Sequence, residues 1–148
     1  MVVEVDQSGR LEHLDTDTVI AFANGESGAV LIKVSVKRQI VQSLKRTIIP
    51  HDQLMPLLFA VVVSLLVKGL NRQMILEIDE EYTGKNKFIE QALIKMLGAR
   101  WEGEVRFRLI GKESPAHKLA WEVHRSDLKK RGVRKLKLEE IMKYFVGK

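Results

Sequence analysis

Met74–Leu97 reads MILEIDEEYTGKNKFIEQALIKML, and its character changes twice. It opens apolar and β-prone, then meets Glu77, Asp79, Glu80 and Glu81. After Thr83-Gly84 it continues with helical spacing, with Phe88, Ile89, Ala92, Leu93, Met96 and Leu97 on one face at steps of three and four. The pattern predicts a strand that runs out into a cluster of carboxylates, followed by a helix that leads the chain away. In open α/β sheets the ligand site lies beyond the carboxyl ends of the strands, which makes Asp79 a candidate. Glu77 and Asp79 fall on one face of such a strand, because side chains alternate with a period of two.

The 148-residue chain suits one domain with a real core. Apolar residues make up 45 % of it, which excludes a disordered chain. The absence of cysteine excludes disulfides, thiolate nucleophiles and Cys-ligated zinc, and suits a reducing, cytoplasmic setting. A net charge of +6 and a pI of about 9.6 favour a polyanionic partner. The opening residues, MVVEVDQSG, place acids where the apolar centre of a signal peptide would stand. The run LMPLLFAVVVSLLV at 54–67 is shorter than the roughly 20 apolar residues of a bilayer span. A helix apolar on all sides is instead expected inside a core, so no membrane partner is expected.

Taken in order, Val2–Asp6, Thr18–Ala23 and Ala29–Ser35 read as strands separated by Gln7-Ser8-Gly9-Arg10 and Asn24-Gly25 turn signals. Short connections make these three an antiparallel meander. Val36–Ile49 reads as a helix with Ile40, Val41, Leu44 and Ile48 inward and Lys37, Arg38, Lys45 and Arg46 off that side, ended by Pro50. Asp52 is a candidate N-cap for a second helix that Gly69 closes. Strand 74–79 and its helix follow, then a half-exposed strand at Val105–Ile110, a helix over Glu113–Leu128, a basic segment, and a short helix at Leu138–Phe145. The expected fold is α/β: a mixed five-stranded sheet of three meander strands plus two parallel strands entered right-handedly through helices. Helices lie on both faces, and residues 129–148 form an extension packed on the 1–128 domain.

Two of these strands end in aspartate, Asp6 and Asp79. Adjacent carboxylates repel and stay ionised only with a positive charge between them. Mg²⁺ is the natural candidate, since it prefers carboxylate oxygens and retains waters, and paired ions of this kind support phosphodiester cleavage. The final long helix offers Glu113, His117, Glu122 and His124, with Asp127 further on; Glu113 and His117 share a face at a spacing of four. Glu80 and Glu81 read as solvated charge, and the basic run at 129–137 as a solvated flank more readily than a dedicated nucleic-acid contact.

These features resemble the ribonuclease H-like fold, and within it the RuvC-type Holliday-junction resolvases. Val5-Asp6-Gln7-Ser8-Gly9-Arg10 is similar to the first motif of that group, an Asp followed by a small-residue turn. Ile78-Asp79 with Lys85-Asn86 is similar to the second, and His117-Lys118-Leu119-Ala120 to the last. The resemblance spans roughly residues 2–128. It implies that Asp6, Asp79 and His117 are catalytic and that Asp6, Asp79, Glu113 and His117 bind Mg²⁺ or Mn²⁺. It further implies that Lys85 steadies a phosphate near the cut; Arg10, Lys112, Lys129, Lys130 and Arg131 are further candidate contacts to structured DNA or RNA. Resolvases of this group work as dimers, so the long apolar helix is a candidate homodimer contact as well as a candidate buried helix. The final-helix motif of the group usually carries two acids three apart, where this chain has Ser114 and His117. Two functions follow as expectations: a metal-dependent nuclease acting on structured or branched nucleic acid, or a non-catalytic binding or scaffold protein that kept the fold.

Overall fold

Along β1 (Val2–Ser8) the side chains alternate between the two faces of the sheet. Val3 and Val5 are fully buried on one side, while Glu4 and Asp6 point to the other. The structure is a computed structural model that describes residues 2–23, 27–68, 70, 73–126 and 133–145. Its further strands are β2 (Thr18–Ala23), β3 (Ser27–Ile32), β4 (Ile75–Asp79), β5 (Glu104–Arg108) and β6 (Val133–Lys135). They form one sheet in the order β5-β4-β1-β2-β3-β6. β1–β2 and β2–β3 are antiparallel, and β1–β4, β4–β5 and β3–β6 are parallel. Among the described residues, five strands therefore run one way and β2 alone opposes them.

The helices are α1 (Val34–Leu44), α2 (His51–Val67), α3 (Asn86–Leu97), α4 (Pro115–Ser126) and α5 (Leu138–Met142). Side chains from α1, α2, α3 and α5 share one core with Val3, Val5, Ile20, Ile32, Leu76 and Ile78 on one face of the sheet. The other face carries a smaller core, in which Ala120 and Val123 of α4 meet Val19, Ala21 and Ala29. The alanines on both sides let α4 sit close over β2 and β3.

The apolar run expected to be a buried helix is one. From Leu58 to Val67, α2 is buried at every residue. Its Ser64 hydroxyl is satisfied by donating to the Val61 carbonyl at 2.7 Å. Among the described residues no helix is long and apolar enough to cross a membrane.

Four expectations need correction. The sheet has six strands, because Val133–Lys135 leaves the supposed basic extension and pairs with β3. Behind it Leu136 and Ile141 enter the main core, so these residues complete the sheet and do not decorate it. α1 ends at Leu44, not Ile49, which leaves Ile48 fully exposed. Lys37, expected off the apolar side, is entirely buried. Its Nζ donates to the His13 carbonyl at 2.5 Å, the Thr18 hydroxyl at 3.0 Å and the Arg10 carbonyl at 3.4 Å. Asp52 lies within the first turn of α2 and pairs with Lys85 at 2.8 Å; Pro50 holds the cap position. The Asn24-Gly25 turn and the Gly69 stop lie outside the described residues.

Candidate metal centre

The register of β1 against β4 builds the site. Glu4 pairs with Glu77 and Val5 with Ile78, so Asp6 and Asp79 follow side by side at the carboxyl ends of the two central parallel strands. Both face α4, away from the main core. Just past β4 the chain stays extended, with the Glu80 N–H donating to the Arg108 carbonyl at 3.0 Å. The alternation therefore continues one step, turning Glu80 out and Glu81 in. Asp6, Asp79 and Glu81 converge, and each offers an oxygen within 4.8 Å of the others.

Two rows of acids thus lie on one face, and they differ in compensation. In the first row, Arg108 bridges Glu4 and Glu77, at 3.0 Å to Glu77 Oε1, and the Ser114 hydroxyl donates to Glu4 at 3.0 Å. In the second row, Asp6 is 3 % exposed. One Asp6 oxygen accepts the Gln7 N–H at 2.8 Å and the other lies 2.7 Å from His117 Nδ1. Asp79 accepts the Ile110 N–H at 2.8 Å. Among the described residues, the lasting cation at this row is Arg10, 3.6 Å from Glu81 and bonded to its backbone carbonyl at 2.7 Å.

The electrostatics follow from that shortage. Burial pushes the Asp6 carboxyl above its ordinary range; the His117 hydrogen bond pulls it down and the Asp79 charge adds to the rise. Burial, with Asp79 beside it, pushes Glu81 up to about 8. A cluster that holds a proton on one carboxyl is one that a cation would discharge. The donors are all carboxylate oxygens, which suits a hard divalent ion such as Mg²⁺ or Mn²⁺ and not a thiophilic one.

The remaining predicted residues divide clearly. His117 reaches the site, through Asp6. Glu113 does not: its side chain is 98 % exposed and lies 3.8 Å from Lys118. Arg10, its side chain 42 % exposed, lies over Tyr82 at 5.5 Å and pairs with Glu12 at 2.9 Å and Glu81 at 3.6 Å. Lys85 is engaged with Asp52. Lys112 is exposed, and Lys129, Lys130 and Arg131 lie outside the described residues. His124 meets the Ser8 and Thr16 hydroxyls at 3.0 Å each, a structural tie between α4 and the loop after β1.

The acid of the cluster that sequence reasoning missed is Glu81. The spacing Glu77, Asp79, Glu81 carried the signal, since one more extended residue keeps all three on one face. Reading Glu80 and Glu81 together as solvated charge hid it.

Fold and site together define an α/β protein with a mixed six-stranded sheet and an acidic cluster where its two central parallel strands end. A scan against known family models finds no match, and a search of curated proteins finds no relative.

Proposed function

We propose that this chain is a metal-dependent nuclease of the ribonuclease H-like type, nearest in its motifs to RuvC-type resolvases, acting on structured or branched nucleic acid. The observation that carries this reading is the meeting of Asp6, Asp79 and Glu81 from separate parts of the chain. The strand order β3-β2-β1-β4-β5, with β2 alone reversed, supports the fold resemblance.

Asp6, Asp79 and Glu81 would hold Mg²⁺ or Mn²⁺, which when bound supplies positive charge to a phosphodiester and its attacking water. His117 fixes Asp6 through Nδ1. With Nδ1–H donated to that carboxylate, Nε2 is the ring nitrogen able to accept a proton from water. Arg10 holds Glu81 through an ion pair at 3.6 Å. The Gly9 turn needs glycine: φ is 72°, and a Cβ there would lie 2.2 Å from the Asp17 carbonyl oxygen.

Purified protein is expected to cleave a four-way junction or an RNA–DNA hybrid with Mg²⁺ or Mn²⁺. Asp6→Asn and Asp79→Asn are each expected to lower the rate at least ~100-fold, as loss of a group that stabilises transition-state charge does. Gel assays with and without chelator measure this; activity surviving in chelator, or in both variants, rejects the proposal.

A second reading, a non-catalytic nucleic-acid-binding or scaffold protein, is favoured by one observation: the first turn of α4 carries no acid at the site, only Ser114 bonded to Glu4 and His117 bonded to Asp6. It predicts salt-sensitive binding, no cleavage, and no rise in melting temperature on adding Mg²⁺ or Mn²⁺.

A further inference from the structure

α4 has three kinds of flank, and one of them is unexplained by packing. Ala116, Ala120 and Val123 are buried against the sheet. Leu119, like Leu31 of β3 and Val133 of β6, packs part-buried against the same small core. His117 and His124 mark the opposite flank, touching Asp6 in one case and Ser8 and Thr16 in the other. Residues four apart share a helix side, so Trp121 lies one turn beyond His117 on this acid-cluster flank. The rise between them is about 6 Å. Trp121 is 49 % exposed, and the Arg125 guanidinium lies 4.5 Å from the centre of its ring.

An indole held open to solvent under an arginine is poorly explained as core. About half of its surface lies in water, and an exposed cation–π pair contributes only about 0.5–1 kcal/mol. The same pair is well made for an unpaired nucleobase: indole for stacking, guanidinium for the adjoining phosphate or a second stacked plane. The chemistry of the occupant is set by charge. The chain carries +6, which favours a polyanionic occupant.

We propose that Trp121 and Arg125 form a stacking site for an unpaired base of single-stranded or junction nucleic acid, one helical turn from the acidic cluster. This rests on nucleic acid being the substrate class proposed above, but not on catalysis. The chain has two tryptophans, Trp101 and Trp121, so Trp101→Phe leaves Trp121 as the only indole reporter. In chelator, where metal-dependent cleavage is silent, a single-stranded oligonucleotide is expected to quench its fluorescence saturably. A blunt duplex of the same sequence is expected to quench it far less. Trp121→Ala should weaken single-strand binding about 10- to 100-fold by anisotropy, with Trp121→Phe restoring most of it. The Mg²⁺-induced rise in melting temperature should be unchanged in both variants, which also reports that they fold.

Three results overturn the proposal. The oligonucleotide binds by anisotropy without quenching Trp121; Trp121→Ala binds as tightly as the parent; or emission shifts with protein concentration alone, which makes the flank a contact between copies of the chain. Cleavage with a silent Trp121 would remove the stacking site and leave the nuclease reading. Quenching without any cleavage would do the reverse.

Discussion

Glu81 concentrates the electrostatic argument in one side chain. Its carboxyl is pushed to about 8, first by burial and then by Asp79, against an ordinary value near 4.5 in the unfolded chain. Between those values the folded state binds more protons than the unfolded one. By linkage, stability then falls as pH rises from about 4.5 to about 8. Asp6, shifted the same way, adds to this slope. The metal-free protein should therefore lose melting temperature across that window, and Mg²⁺ should restore more at pH 8 than at pH 5, since the cation competes with the proton. Glu81→Gln is expected to flatten the slope and to shrink the Mg²⁺ effect. Thermal melts in chelator and in excess Mg²⁺ measure both; an unchanged slope in Glu81→Gln would show that the proton resides elsewhere.

At the level of elements, the buried helix α2 is coupled to the site. Phe59, 1 % exposed, packs against Tyr82 with ring centroids 5.4 Å apart. Tyr82 directly follows Glu81 and also receives Arg10 on its ring. Phe59→Ala is expected to cost about 3–5 kcal/mol in urea unfolding, with an unchanged m-value. A loss under 1 kcal/mol would mean the pocket collapses around the smaller side chain. The helices also show how far periodicity reaches. The face of α3 from Phe88 to Leu97 was legible because its apolar spacing is regular: Ile89 and Leu93 are buried, and Phe88, Ala92, Met96 and Leu97 pack part-buried against the same core. The end of α1 was not legible. Pro50 supplied a stop signal, but the chain leaves the helix at Leu44, whose carbonyl accepts both the Thr47 N–H at 3.0 Å and the Thr47 hydroxyl at 2.6 Å.

For the whole molecule, β6 and α5 decide what counts as the domain. Leu136 is 3 % exposed and Ile141 is fully buried, both in the core that includes α1 and α2. A chain ending at residue 128 should lose on the order of 3–6 kcal/mol from those two side chains alone and expose the edge of β3. It is expected to aggregate or to melt well below the full chain by circular dichroism. Equal stability would make residues 129–148 an appendage after all.

The sequence by itself determined the class of fold, the three-strand meander, the burial of α2 and two of the three acids of the cluster. Each of these is written in local periodicity or in residue types at strand ends. Only the tertiary structure decided what depends on distant partners. Lys37 is buried because three oxygens from the 10–18 segment receive it. Val133–Lys135 is a strand because β3 offers it an edge. Glu81 and not Glu113 completes the cluster, because the backbone beyond β4 stays extended beside Arg108. Neighbouring residues in a sequence state their own preferences; which carboxylates meet is fixed by strand register and the path of the chain across the sheet, and no short window of sequence contains that.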